Sequence, residues 1–372
     1  MPSSSRITNV FLILLLWLTS GCASDRPPSG GPLDTTPLQV IFSDPAPSTV
    51  QVSTKRIQLT FNHAVSARQL LNSMIISPSI GAYDIAVSGK NVEIKRFRPL
   101  EQDRTYILTI DKKLRDNSGR TFATPYSIAF STGAIIDNGI ISGTVINTDC
   151  SPSTNALIVA FAERPETTGS VSLLQREPDY FIQTDSSGSF SLEHIAKGLY
   201  RIVAFNDRNG DLRINAAAEE IGLCSTAVLA TGSSNLLFRL SNTQHKNDKF
   251  PSRATSNAQA PYETGSISGT CFASGQYVIV DASSLTASYR TTASRDRKGE
   301  LHYSFPELPR GSYTISAFIP SDSKKPNPER QWNPGSIEPF QPAEPFGFYP
   351  EKVTVRPRWT TEHIDIRITT SK

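Results

Sequence analysis

Oxygen-bearing side chains between residues 207 and 220 form the part of the sequence best suited to chemistry. Asp207, Asn209 and Asp211 stand at alternate positions, and Glu219 or Glu220 offers a later carboxylate that could close a loop. Hard cations such as Ca²⁺ take their ligands from carboxylate, amide and carbonyl oxygens. The spacing therefore predicts a structural calcium site that holds a loop and performs no reaction. Its candidate ligands are Asp207, Asn209, Asp211, Asn215, Glu219 and Glu220.

The same segment resembles the Asp-x-Asn-x-Asp calcium loops of dockerin-like and surface-repeat domains, with three departures. Leu212 stands where those loops have the glycine of their sharp turn, and Arg208 and Arg213 reduce the negative charge. The closing carboxylate also comes later than is usual in such loops. The alternative is a solvated turn whose Asp and Asn side chains cap their own backbone, which is a common use of these residues. The sequence leaves both interpretations open.

The cysteines could carry disulfide chemistry. Besides Cys22, the chain has Cys150, Cys224 and Cys271, and disulfides persist in exported proteins. Cys150 follows the first strand of its domain and Cys224 lies near the last ones, which often lie side by side in a sandwich. We therefore predict a Cys150–Cys224 disulfide, with three unpaired buried thiols as the alternative. Cys271 aligns with Val145 in an internal repeat and is predicted to be a free core thiol.

No set of residues predicts catalysis. None of the histidines stands at a metal-ligand spacing from another histidine or a cysteine. The sequence also lacks a Gly-x-Ser-x-Gly elbow, a phosphate loop and a His-Glu-x-x-His motif. Because small β-sandwich domains rarely house active sites, we expect a non-enzymatic protein with no catalytic residues. The histidines are His63, His194, His245, His302 and His363.

A short apolar segment near the N-terminus predicts export. Residues 10–18, VFLILLLWL, follow a stretch whose only charged side chain is Arg6. A membrane-spanning helix needs about 20 apolar residues, so this run is too short to span a bilayer and is typical of a secretory signal.

The apolar run ends at Thr19-Ser20-Gly21-Cys22, which resembles a bacterial lipobox except that Thr19 stands where a leucine is usual. The resemblance implies that residues 1–21 are a signal peptide and that Cys22 carries acyl chains such as palmitate. Several acyl chains on one residue hold a protein on a membrane essentially permanently. Ordinary signal cleavage after Ala23 is the alternative.

Residues 22–37 are predicted to be a flexible spacer, and strand patterns begin after them. Ile57, Leu59 and Phe61 alternate with polar residues, which predicts a strand with one buried face. Further strand-like segments follow in order, and Gly119 marks a tight turn before the last of them. This order resembles the Ig-like domain of bacterial surface-layer proteins over residues 38–133. The resemblance implies a seven-strand sandwich.

An internal repeat follows. The segment GIISGTV at residues 139–145 returns as GSISGTC at residues 265–271. The turn Gly198-x-Tyr200, which enters an alternating strand, returns as Gly311-x-Tyr313. Two copies with the same order and inner spacing indicate two related domains.

The repeat places these domains at residues 135–241 and 265–370, joined by a disordered linker, residues 242–264. Each copy resembles the prealbumin-like regulatory domain found beside some carboxypeptidases, which implies a Greek-key β-sandwich. Tyr200 and Tyr313 follow a turn on a period-2 strand, so we expect them to be core or corner tyrosines and not a ligand platform. The fold class is therefore all-β, with tandem β-sandwiches.

The third domain contains a long segment rich in proline and aromatic residues, residues 320–350. Such a segment can be a packed flap or a recognition surface, and the prealbumin-like resemblance continues through it, which favours the flap. Exposed aromatic rings would indicate recognition instead. The candidate recognition residues are Trp332, Phe340, Phe346 and Phe348.

Composition excludes one class of partner. The formal charge is +3, and removal of residues 1–21 takes away Arg6 alone and leaves +2, so no basic footprint for nucleic acid exists. We expect a non-catalytic, lipid-anchored envelope lipoprotein, with the outer membrane favoured, whose domains serve protein contact or envelope assembly. The alternative is a calcium-assisted module that binds glycans or another exposed polymer. The partner, an envelope protein or a glycan, is not identified by the sequence.

Overall fold

The computed structural model describes residues 34–164, 172–242, 263–321 and 329–368. The chain divides into two units, Met1–Pro37 and Leu38–Lys372. The second unit is almost entirely β-structure and contains three successive sets of strands. Within the described ranges, no helix is both long and apolar enough to cross a bilayer.

The first set of strands forms a sandwich of two sheets. One sheet has the order β1-β2-β5-β4 and the other β3-β6-β7, so the seven strands implied by the Ig-like resemblance are present. Ile57, Leu59 and Phe61 lie on the buried face of β2, as their alternation predicts. The elements are β1 (Val40–Asp44), β2 (Arg56–Phe61), α1 (Ala67–Leu71), β3 (Met74–Ser77), β4 (Tyr83–Ser88), β5 (Asn91–Arg96), β6 (Thr105–Ile110) and β7 (Tyr126–Ser131).

The second set also forms two sheets. One has the order β10-β9-β12-β13, with β14 on β12, and the other has the order β11-β8-β15, in which β15 runs parallel to β8. A 3₁₀ turn, Leu173–Gln175, precedes β10. The strands are β8 (Gly139–Ile146), β9 (Leu157–Ala162), β10 (Tyr180–Gln183), β11 (Ser189–Ile195), β12 (Leu199–Phe205), β13 (Ile221–Gly222), β14 (Leu229–Ala230) and β15 (Leu236–Arg239).

The third set repeats this order in a single nine-stranded sheet. Strands β18 and β19 pair with each other here, whereas their counterparts in the second set, β10 and β11, belong to separate sheets. The path is β21-β20-β17-β18-β19-β16-β23, with β22 on β20 and β24 on β16. The strands are β16 (Thr264–Phe272), β17 (Tyr277–Ser283), β18 (Ser288–Arg295), β19 (Leu301–Pro309), β20 (Gly311–Phe318), β21 (Phe346–Phe348), β22 (Val353–Val355), β23 (Thr360–Thr361) and β24 (Ile366–Arg367).

Glycines of the repeated segment mark close crossings of the backbone. A Cβ on Gly143 would lie 2.5 Å from the carbonyl oxygen of Leu236, and one on Gly269 would lie 2.0 Å from that of Ile364. In each domain the contacted residue belongs to the last segment, which pairs in parallel with the first strand: β15 with β8, and β24 with β16. Each copy therefore needs glycine at this position so that its last segment can lie against the first strand.

The two repeated tyrosines are buried at corners of their domains. Tyr200 donates a hydrogen bond of 2.6 Å to the carbonyl oxygen of Ala196, and Tyr313 donates one of 2.9 Å to that of Pro309. Each hydroxyl therefore closes the turn that precedes its own strand, and each ring packs in the core. The prediction of core or corner tyrosines is confirmed.

Candidate functional site

The predicted lipidation residue, Cys22, lies outside the described residues, and so do the signal segment and most of the predicted linker. The lipid anchor therefore stays a prediction. The other candidate residues lie within the three sets of strands, where their contacts can be compared with the chemistry proposed for them.

The acidic segment after β12 is closed by its own backbone. The two oxygens of Asp207 accept hydrogen bonds from the N–H groups of Gly210 (2.8 Å) and Leu212 (3.1 Å). Asn209 accepts one from the N–H of Asp211 (3.1 Å), and Asp211 accepts one from the N–H of Arg213 (2.8 Å). These are turn-capping bonds of the kind that Asp and Asn form in turns generally.

The carboxylates expected to complete a calcium site are also engaged. Glu219 is buried, and its two oxygens accept hydrogen bonds from the N–H groups of Arg208 (3.3 Å) and Asn215 (2.9 Å). Glu220 accepts one from the side chain of Asn206 (2.9 Å). The arrangement favours the self-capped turn, and calcium binding stays a prediction. Calorimetric titration of the whole chain with calcium tests it, since binding to the folded state is expected to give a heat signal and to raise the melting temperature.

One group of metal-ligating side chains does converge in the described part of the chain. The Nε2 atom of His302 lies 3.1 Å from a carboxylate oxygen of Glu300 and 3.6 Å from one of Asp296. All three side chains are exposed. Asp296 also caps the β18–β19 hairpin, because its other oxygen accepts the N–H groups of Lys298 and Glu300. A hairpin turn accounts for this cluster without an ion.

The predicted Cys150–Cys224 disulfide is wrong for this structure, in which Cys150, Cys224 and Cys271 are free thiols. The two cysteines pack in different clusters. Cys150 contacts the cluster that contains Ile146, whereas Cys224 lies in the core of the second domain. Cys271 lies in the core of the third domain, so the prediction of a free core thiol is confirmed. Burial raises the pKa of Cys150 and Cys224 to about 11 and that of Cys271 to about 12.

Thiol counting tests this correction. In a Cys22→Ala chain unfolded without reductant, an alkylating reagent is expected to label Cys150, Cys224 and Cys271. In the folded chain labelling should be slow, because burial blocks access and the raised pKa values leave little thiolate. Mass spectrometry of the labelled chain gives the count. A single labelled cysteine in the unfolded chain would contradict the three free thiols and support the predicted Cys150–Cys224 disulfide.

The described part of the aromatic loop, chiefly residues 329–350 of the segment 320–350, covers the outer face of the second domain. Strand β9 is buried on both sides, with one face in the sandwich core and the other beneath this loop. The cluster under the loop contains Leu157, Val159, Phe161, Val203, Phe205, Ile221, Leu223, Ile337 and Ala343, with Trp332 and Phe340 packed against it.

Two arginines of the second domain occupy ring faces of the aromatic loop. The guanidinium of Arg201 lies 4.9 Å from the ring centre of Phe340. That of Arg239 lies 5.1 Å from Trp332 and 4.6 Å from Phe346. Each such contact contributes about 0.5–2 kcal/mol, depending on its desolvation. These rings hold two domains together.

The remaining ring of the predicted set completes the packing. Phe348 is partly buried and stacks on Phe346 at 6.4 Å between ring centres. Trp332 packs against Phe346 at 5.5 Å. Recognition through an exposed platform of Trp332, Phe340, Phe346 and Phe348 is therefore not what the structure shows, because neighbouring groups already cover the rings. The flap interpretation agrees with the observed contacts.

Glu344 fixes the shape of the aromatic loop. Its carboxylate is 4% exposed and accepts hydrogen bonds from the N–H (2.8 Å) and hydroxyl (2.9 Å) of Ser321 and the N–H of Asn333 (3.0 Å). It also forms an ion pair with Arg330. Its carbonyl oxygen accepts a hydrogen bond of 2.9 Å from the indole of Trp332. The buried charge is thus satisfied by groups from the N-terminal half of the loop.

A buried carboxylate, Asp179, connects the first two domains. Arg104 of the first domain reaches one of its oxygens at 3.3 Å and lies over the ring of Tyr180 at 5.5 Å. Burial lowers the pKa of Arg104, but the combined effect of Tyr180, Glu101 and Asp179 raises it by more. The net shift of this pKa is therefore upward. The N–H of Phe181 donates a hydrogen bond of 3.0 Å to the hydroxyl of Ser77. The joint therefore combines an ion pair with a backbone-to-side-chain hydrogen bond.

Three arginines in all converge on Asp179. Besides Arg104, Arg164 forms an ion pair with it and Arg176 lies 3.7 Å away. The N–H of Ala162 donates to its second oxygen at 2.8 Å. Sequence reasoning missed this cluster and the partly buried Arg239, because residues far apart in sequence meet there. The visible signal was the unbroken apolar run LIVAF at residues 157–161, which indicates a strand covered on both faces.

Comparison with known proteins defines the class of the first domain. Residues 34–132 match a family described as Bacterial Ig-like domain. The chain therefore contains a bacterial Ig-like domain followed by two further β domains. No curated protein sequence matches the chain.

Solved structures resemble the chain weakly. The N-terminal part of the bacterial S-layer protein SbsC is 14% identical, with a TM-score of 0.20, over 54% of this chain and 42% of that one. The MG0-NIE-MG1 domains of Escherichia coli alpha-2-macroglobulin are 14% identical, with a TM-score of 0.21, over 77% and 94%. An L,D-transpeptidase from Mycobacterium smegmatis is 13% identical, with a TM-score of 0.20, over 55% and 90%. This chain thus spans less than half of the S-layer fragment, and the superpositions are too poor to carry an argument about function.

Proposed function

We propose that this chain is a non-catalytic, lipid-anchored protein of the bacterial cell envelope that serves as a scaffold for protein contact or envelope assembly. The observation that supports a scaffold is the use of the aromatic loop. Trp332, Phe340 and Phe346 pack against the second domain and its arginines instead of forming an open binding platform. The Ig-like domain supports a place in the envelope, because that family is bacterial and the proposed signal segment directs export.

The alternative, calcium-assisted binding of a glycan or polymer, has less support. A stacking platform needs rings with a free face, whereas Arg201 and Arg239 cover those of Phe340, Trp332 and Phe346. The calcium loop that would assist it is capped by its own backbone. Titration of the chain with soluble envelope glycans, with and without calcium, tests this alternative by the heat of binding.

Cys22→Ala is expected to move the protein from the detergent-extracted membrane fraction to the soluble envelope fraction. Acyl chains supply about 0.8 kcal/mol per buried CH₂ group, and the variant cannot carry them. Cell fractionation, followed by immunoblotting and labelling with a fatty-acid analogue, measures the change. Cys150→Ala is the matched control and should stay with the membrane and keep the label.

Two results would contradict the anchor. A wild-type chain without acyl label, or a Cys22→Ala chain that still sediments with the membrane, would show that another feature holds the protein there. Cross-linking in intact cells then tests the scaffold. Defined neighbours should be captured by the wild-type chain and lost with Cys22→Ala, while the purified chain forms the same contacts without chemical turnover.

A further inference from the structure

A small cavity lies where the aromatic loop meets the end of the second domain. Its volume is about 60 Å³, and its wall combines aliphatic and aromatic side chains with polar ones. Cys224 and Asn235 of the second domain line it, together with Trp332 and Phe346 of the aromatic loop. Arg239 also lines the cavity and contributes a positive charge.

No acid in the described part of the chain forms a close ion pair with Arg239, although Asp281 and Asp149 lie near enough to raise its pKa. Its Nη2 group donates to the carbonyl oxygen of Thr148 at 2.6 Å. Its Nε atom is buried and has no hydrogen-bond partner among the described residues. Burial lowers the pKa of this arginine, which shows that its charge is poorly solvated. A guanidinium withdrawn from water is stabilised by anions or other acceptors. Here two ring faces and one carbonyl oxygen contact it, and none of them carries a full negative charge.

The acids near Arg239 are committed elsewhere. Asp281 forms a two-pronged ion pair with Arg290, at 2.5 and 2.8 Å. Asp149 accepts hydrogen bonds from the N–H (3.0 Å) and hydroxyl (2.6 Å) of Ser151. The carboxylate of Glu344, also in the wall, is held within its own loop. One positive charge in a partly apolar cavity is therefore left for an anion from outside.

We propose that this cavity binds the carboxylate group of a small organic acid through Arg239, a binding site independent of the envelope scaffold. The positive charge of a guanidinium favours a carboxylate, and the leucines and aromatic rings of the wall suit an attached apolar group. A phosphate dianion is disfavoured because Arg239 offers a single positive charge and Glu344 places a negative charge in the wall, so the second phosphate charge would have no partner there. The volume limits the ligand to a few heavy atoms inside the cavity.

Titration with sodium propionate tests the site, with sodium chloride and sodium phosphate at matched ionic strength as comparisons. Propionate is expected to raise the melting temperature of the whole chain with its concentration, by linkage to the folded state, and chloride and phosphate should not. Arg239→Met keeps the packed aliphatic stem and removes the charge. The dissociation constant of propionate from this variant should therefore be at least about tenfold higher than from the wild-type chain. Arg201→Met is the matched control, because Arg201 also covers a ring of the loop but pairs with Glu163, and it should respond as wild type.

Ser234→Leu provides a second variant in case Arg239→Met folds poorly. Ser234 is an exposed residue of the wall, so a larger side chain there should block the cavity and abolish the response without disturbing the core. The proposal is overturned if propionate stabilises no more than chloride. It is also overturned if phosphate stabilises in place of propionate, or if Arg239→Met and Ser234→Leu respond as the wild-type chain does.

Discussion

Asp179→Ala is expected to lower the free energy of unfolding by about 3–5 kcal/mol, the usual cost of removing one partner of a buried ion pair. Asp179 is only 8% exposed, and its removal takes away the carboxylate on which Arg104, Arg164 and Arg176 converge, so their positive charges repel one another more strongly. The N–H of Ala162 also loses its acceptor. Urea unfolding followed by circular dichroism measures the loss.

The exposed ion pair Arg56–Glu93 provides a matched control for Asp179. Its partners lie on neighbouring strands of the first domain, and their side chains are 59% and 35% exposed. Glu93→Ala should therefore cost less than about 1 kcal/mol. Because Asp179 joins two domains, its variant should also separate their unfolding transitions, which calorimetry detects. An Asp179→Ala chain as stable as Glu93→Ala would show that the three arginines do not depend on this carboxylate.

Gly269→Ala is expected to destabilise the third domain by about 3 kcal/mol, at the upper end of the usual cost of overpacking. Its new methyl group would lie 2.0 Å from the carbonyl oxygen of Ile364 and 3.1 Å from the ring of Tyr303. The segment after β23 would have to move away from β16. That movement would break the hydrogen bond of 2.6 Å that Tyr303 donates to the same oxygen. Thermal unfolding of the whole chain measures the effect.

Gly311→Ala is the matched control in the same domain. The nearest atom to its new methyl group belongs to the ring of Tyr313, at 3.4 Å, which is an ordinary contact. Its stability should change by less than about 0.5 kcal/mol, as for most substitutions outside special sites. Equal effects of the two alanine variants would mean that the backbone at Ile364 moves away from residue 269 without a loss of stability. The presence of glycine at this position in both repeats would then need another explanation.

Local patterns in the sequence were enough to predict the strands and several corners. The alternation of Ile57, Leu59 and Phe61 identified a buried face because successive side chains of a strand point to opposite sides. The Gly-x-Tyr turns located both corner tyrosines, Tyr200 and Tyr313, because the hydroxyl bonds a carbonyl only four residues earlier. Features that depend on neighbours in sequence can be predicted from sequence.

The disulfide prediction failed because it depended on the positions of segments distant in sequence. Cys150 and Cys224 were matched by their places early and late in one domain, but that order does not say which face each side chain occupies. The structure places Cys150 against the cluster that also contains Tyr277 of the third domain, and Cys224 inside the second. One step along a strand reverses the face, so this choice lies beyond a single sequence.

The sequence by itself determined the all-β fold, the Ig-like first domain and the internal repeat, since turn residues and apolar periodicity are local properties of the chain. Only the tertiary structure decided how the domains meet. Asp179 gathers arginines from two domains, and Arg239 is enclosed by rings of a loop about a hundred residues away along the printed sequence. A charged side chain looks the same in sequence whether it faces water or is buried. Its role at a domain joint follows only from which surfaces fold together.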